Sequence, residues 1–187
     1  MRLVGAMIAA ACLALPAAAG QVDESVIEEA RGVAKAFQTQ LKGRLQAAIA
    51  EGGPQNAIGV CNAEAPEIAE AVSAESGWRV ARTALRVRNP VNAPTPRERA
   101  ILEGFKARAE AGVPFAELER AEVVDTHEGR QIHYMKAIPT GQVCLACHGS
   151  DLAPEVKARL DELYPRDQAT GFREGELRGA FSFRKPL

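Results

Sequence analysis

Downstream of residue 20 the chain has no uninterrupted apolar stretch of the about 18 residues that a membrane helix requires. It also has no surplus of charge: 23 basic residues face 24 acidic ones, for a formal net charge of -1. Neither a membrane-spanning segment nor the basic footprint of a nucleic-acid-binding protein is indicated. Internal repeats and low-complexity tracts are absent from the same region. After His148 there is no Met, His or Cys. Any soft or imidazole partner of that histidine is therefore expected upstream.

What is present begins with MRLVGAMIAAACLALPAAAG, with a charge at Arg2, an apolar run from Leu3 to Leu15 and small residues at Ala17 and Ala19. This reads as a secretory signal peptide over residues 1–20, followed by one domain over 21–187, and the expected location is the bacterial periplasm. Cleavage there removes Cys12 and makes the net charge one unit more negative. Three cysteines remain, Cys61, Cys144 and Cys147, an odd number for an oxidising compartment.

Residues 22–50 carry Val26, Ile27, Ala30, Val33, Ala34, Phe37, Leu41 and Leu45 at three- and four-residue steps. The spacing predicts a long N-terminal helix, with Ser25 and Glu28 as a capping box and Gly52-Gly53 as its end. A second helix places Cys61 on its apolar face and is bent or restarted at Pro66. Alternation from Trp78 to Arg88 predicts a strand, with Arg82, Arg86 and Arg88 on one face. Thr95-Pro96-Arg97-Glu98 opens a helix that runs to about Gly112. Strands over 117–124 and 131–138, joined by a five-residue loop, predict an antiparallel hairpin; a helix over 153–163 and a strand over 177–183 complete an α+β fold. From Arg79 to Arg108 there are eight basic residues against Glu98 and Glu103, which as a local feature is a solvated face.

Immediately after the hairpin stands Cys144-Leu145-Ala146-Cys147-His148. Two thiols with a two-residue spacer and an adjacent imidazole suit covalent haem attachment: the thiols add to the two vinyl groups and the histidine takes the iron from one side. A zinc site requires a fourth ligand from Cys61, His127 or His133 and has no second closely spaced pair. A dithiol redox pair requires a βαβ context that the pattern does not provide. For the other face of the iron the upstream candidates are Cys61, His127, His133 and Met135, and residue chemistry leaves the choice open.

The chain resembles the single-haem c-type proteins with a PAS-like fold, which stand alone or serve as sensory modules of bacterial and cyanobacterial histidine kinases. The resemblance is carried by Ala57-Ile58-Gly59-Val60-Cys61, by Arg82-Thr83 leading to Arg88-Asn89-Pro90-Val91-Asn92-Ala93-Pro94, and by Tyr134-Met135-Lys136-Ala137-Ile138 before the CLACHG run. Tyr164-Pro165, Asp167, Ala169, Gly171, Gly175 and Arg178-Gly179-Ala180 extend it. It implies a PAS-like antiparallel sheet flanked by helices and one covalent haem c, with Cys144 and Cys147 attached and His148 and Cys61 as the axial ligands. Among the arginines, Arg88 is the expected partner of the haem propionates. Two functions follow: an exported electron-transfer protein or redox partner, not an enzyme, or a sensor of redox state or a diatomic gas that signals through a separate partner.

Overall fold

The computed structural model describes residues 21–187; the expected signal peptide, Cys12 included, lies outside the described residues. Helix α1 spans Glu24–Gly59, and its cap is Asp23, whose carboxylate accepts from the Ser25 backbone N–H at 2.8 Å. The cap thus lies two residues before the expected capping box. Gly52 and Gly53 break the helical geometry, with Gly53 at φ 76°, a conformation that suits glycine, and Pro54 starts the helix again in a new direction. The two limbs fold against each other through Leu45, Ala48, Ala57 and Val60, and Asn56 Nδ2 donates to the Ala48 carbonyl across the bend. A π-helical turn, Val60–Glu64, then leads into α2, Ala65–Ser76, with Pro66 in its first turn.

The described strands form one antiparallel sheet in the order β1-β4-β3-β2, from Arg79–Thr83, Leu177–Pro186, Gly129–Pro139 and Glu119–Thr126 respectively. One face packs Ile132, Tyr134, Phe181 and Phe183 against Ala30, Val33 and Phe37 of α1 and Val72 of α2. The other packs Met135, Ala137 and Ala180 against Leu102 and Phe105 of α3, which spans Pro96–Glu110. Strand β3 is covered on both faces, and its run Gln131 to Met135 is buried without alternation, as a central strand requires. The predicted box at the start of α3 is present, with Thr95 and Glu98 each capping the other. The α+β architecture, with an antiparallel sheet flanked by helices and a long N-terminal helix, agrees with the sequence reading.

Two further expectations are corrected. The hairpin pairs Thr126 with Gly129, so its loop is the two residues His127 and Glu128 rather than five; Gly129, at φ 107°, supplies the turn. Strand β1 stops at Thr83 instead of continuing to Arg88. The Thr83 hydroxyl donates to the Asn92 carbonyl at 3.1 Å, pinning the loop that follows, and Leu85 leaves the sheet to join the α3 cluster. Arg82, Arg86 and Arg88 therefore do not share a strand face.

Candidate functional site

The CLACH run forms a 3₁₀ turn, Gln142–Cys144, continued by a single helical turn, α4, over Leu145–His148. Helical progression over three residues brings Cys144 and Cys147 to the same side, which the two-residue spacer alone could not establish. The chain leaves α4 in extended form at Gly149, where the backbone N–H donates to the Leu145 carbonyl at 2.9 Å. A Cβ on Gly149 would stand 2.6 Å from that oxygen, so the sharp exit behind His148 requires glycine.

His148 is held from behind. Its Nδ1 lies 2.6 Å from the Ala169 carbonyl, and because a carbonyl can only accept, Nδ1 carries the proton and Nε2 keeps its lone pair. Burial, followed by the nearby Arg178 and Arg88 charges, holds this imidazole well below its ordinary pKa, so it is neutral. A ring fixed by Nδ1–H to a backbone oxygen, with Nε2 unprotonated, is the usual state of a metal-ligating histidine. Phe172 supports the ring edge-on at a centroid distance of 6.1 Å, and the Phe172 and Gly171 N–H groups bond to the carbonyls of His148 and Gly149.

One cavity is lined by Cys61, Cys144, Cys147, His148 and Arg88, the five predicted site residues. Its volume is about 210 Å³. Apolar walls come from Leu41, Leu45 and Ile49 of α1, with Ile138 and Val143 beside the CLACH segment. Cys61 enters from the π-helical turn. Burial pushes its thiol above the ordinary value, while Arg82, Arg88 and Arg178 pull the other way. Helix α5, Pro154–Leu163, packs Val156 and Leu160 with Ile58, Tyr164 and Cys147, tying the thiol-bearing segments together.

The other three upstream candidates lie elsewhere. His133 and Met135 face α3: Met135 is in the Leu102–Phe105 cluster, and His133 Nε2 is 2.9 Å from the Ser182 hydroxyl, which donates to Glu98 at 2.6 Å. His127 is exposed in the hairpin turn. Among the described residues, no three His, Cys, Asp or Glu side chains cluster as a bare-ion site would need. All three described cysteines are free. The thiols and imidazole thus line one shared space and do not form a compact three-ligand ion site.

Arg88 is 8% exposed and closely engaged. Its Nε donates to Asp167 Oδ2 at 3.0 Å, and its Nη2 donates to the carbonyls of Cys147 at 2.6 Å and Ala169 at 3.2 Å. It therefore braces both the CLACH turn and the strand of loop that holds His148. Sequence reasoning assigned no role to Arg178, which lines the cavity and donates from Nε to His148 Nε2 at 3.4 Å. Its signal was confined to the Arg178-Gly179-Ala180 match. The partnership of Arg88 with Asp167 was not legible either, since nothing local joins positions so distant in the chain.

Fold and cavity together define an α+β protein with soft sulfur and imidazole donors arranged around an apolar pocket. The chain belongs to the Tll0287-like family, whose model (Tll0287) matches residues 15–186. It is similar to the crystal structure of the cyanobacterial haem protein Tll0287, at 27% sequence identity and a TM-score of 0.63, over 89% of this chain and 98% of that one. No curated protein matches it.

Proposed function

We propose that the protein is an exported, single-haem c-type cytochrome of the periplasm that acts in electron transfer or as a redox partner, and not as an enzyme. The observation that carries this reading is the presence of Cys61 on the same cavity as Cys144, Cys147 and His148. The donor set fits the group. Cys144 and Cys147 would hold it covalently through thioether bonds to its vinyl groups, and His148 Nε2 and the Cys61 sulfur would ligate its iron. The likeness to a haem protein of the same family supports the cofactor.

Haem supplies a one-electron ferric/ferrous couple when bound. The residues decide how that couple is used. A thiolate from Cys61 favours the ferric state and keeps the potential low relative to His/Met ligation. Ligation would use the thiolate form of Cys61, which burial alone disfavours. With His148 and Cys61 both ligating the iron, the chain would leave it no vacant position for a substrate. Among the described residues no helix is long and apolar enough to cross a membrane.

A second reading, a redox or diatomic-gas sensor acting through a separate partner, is favoured by the local backbone of Cys61. It sits in a π-helical turn between the Gly52–Gly53 bend and Pro66, and such turns recur at functional sites. A ligand on this segment is suited to release on reduction. Expression with a haem-attachment system, followed by haem staining of the denatured chain, tests the cofactor assignment. Stain should persist in the wild type and be lost when Cys144 and Cys147 are both replaced by Ala. CO binding to the reduced protein then separates sensor from carrier.

A further inference from the structure

The cavity has an unusual charge balance. Three guanidinium groups line it, from Arg82, Arg88 and Arg178, and among the described residues no Asp or Glu side chain does. Arg88 is neutralised locally by Asp167, at 3.0 Å. The other two have no carboxylate partner among the described residues. Arg82 makes no hydrogen bond there and has only the face of Phe37, at 5.7 Å from its centroid. Arg178 has two long contacts, to His148 Nε2 and to the Arg86 carbonyl, both 3.4 Å. Arg86 does not belong to this set. It is stacked 3.7 Å over Phe172, bonds to the Thr170 carbonyl and does not line the cavity.

Half-buried cations without a carboxylate partner are costly, and a fold retains them where an anion completes them. Haem carries two carboxylates, and the cavity has two uncompensated guanidinium groups. A metal on His148 Nε2 also ends the Arg178 hydrogen bond to that nitrogen and frees the side chain for another acceptor. Resting on the haem reading above, we propose that Arg82 and Arg178 are the partners of the two propionates. Arg88, the sequence-based expectation for that role, is instead a positioning residue that holds the Cys147 and Ala169 carbonyls around His148.

The test uses the full chain matured with its haem, comparing Arg82→Leu, Arg178→Leu and the corresponding Lys variants with wild type. The readouts are the propionate bending band in the resonance Raman spectrum and the midpoint potential across pH. Each Leu variant should shift the band and introduce a pH-dependent limb into the midpoint potential, because a carboxylate without its cation titrates at higher pH. Each Lys variant should retain the charge and show a smaller shift. Unchanged bands and midpoint profiles in haem-loaded Leu variants would overturn the assignment. Should a Leu variant fail to mature, an unshifted band in its Lys counterpart would overturn it equally, since Lys lacks the bidentate fork. A wild type without covalent haem would instead refute the proposed function, and this assignment with it.

Discussion

Arg88 and Asp167 form an ion pair of 3.0 Å with side chains only 8% and 11% exposed, and the same guanidinium binds the Cys147 carbonyl. This pair joins the loop after β1 to the loop after α5 and positions the CLACH turn between them. Removing one member leaves the other buried without its partner, at a cost of about 3–5 kcal/mol. Arg88→Leu should therefore lower the urea midpoint strongly. Asp167→Asn, which keeps a hydrogen-bonding group, should cost less; equal and small losses would show that the pair is not a structural brace.

Gly179 lies where β4 passes the end of β1 beside the cavity. A Cβ there would stand 2.5 Å from the Thr83 carbonyl oxygen and 3.1 Å from the Ala84 Cβ. Neither neighbour is the flexible end of a side chain, so the strands must part. Gly179→Ala should destabilise by about 1–3 kcal/mol, as overpacking does, and thermal unfolding would measure it. A melting temperature equal to wild type would contradict the close approach.

The buried His133 gives the protein an acid-sensitive element remote from the cavity. Burial first, then Arg184, pulls its pKa down to about 4, against opposing contributions from Glu98 and Glu122. Because the unfolded chain binds this proton more readily than the folded one, the associated stability is complete above about pH 6.5 and is lost as pH falls toward about 4. The group accounts for about 3 kcal/mol at most. Urea unfolding between pH 7 and 4 should show this slope, and His133→Gln should flatten it. An unaltered slope in the variant would assign the acid sensitivity to other groups.

Glu119 acts in a lower window. Its carboxylate is held by Arg31, Tyr134 and Lys136 and has a pKa of about 2, despite burial acting in the opposite direction. Its contribution is present above about pH 4.5 and disappears as pH falls toward about 2. Glu119→Gln should reduce stability at neutral pH and remove that acid limb from a denaturation series; a retained limb would refute the assignment.

The sequence made the helices legible because their signals are local: the apolar spacing from Val26 to Leu45, the Gly52-Gly53 break and the Thr95–Glu98 box all act within a few residues. Cys144, Cys147 and His148 were legible for a different reason, since they form a compact motif, whereas residue chemistry left Cys61 one candidate among several and only the family resemblance selected it. Failures arose where distant contacts decide. The alternation through Leu85 and Val87 resembles a strand, but the Thr83–Asn92 bond ends β1 early. The arginines look equivalent along the sequence, and only the fold gives Arg88 an Asp167 partner, turns Arg86 onto Phe172 and leaves Arg82 and Arg178 facing the cavity.

The central claim is that Cys61 and His148 hold one iron from opposite sides. Absorption and EPR spectra of the haem-loaded protein, oxidised and reduced, beside Cys61→Ala test it most directly. The account predicts a low-spin ferric thiolate signature in the wild type that the variant loses while its haem remains covalently attached. Identical spectra for the two proteins would contradict it.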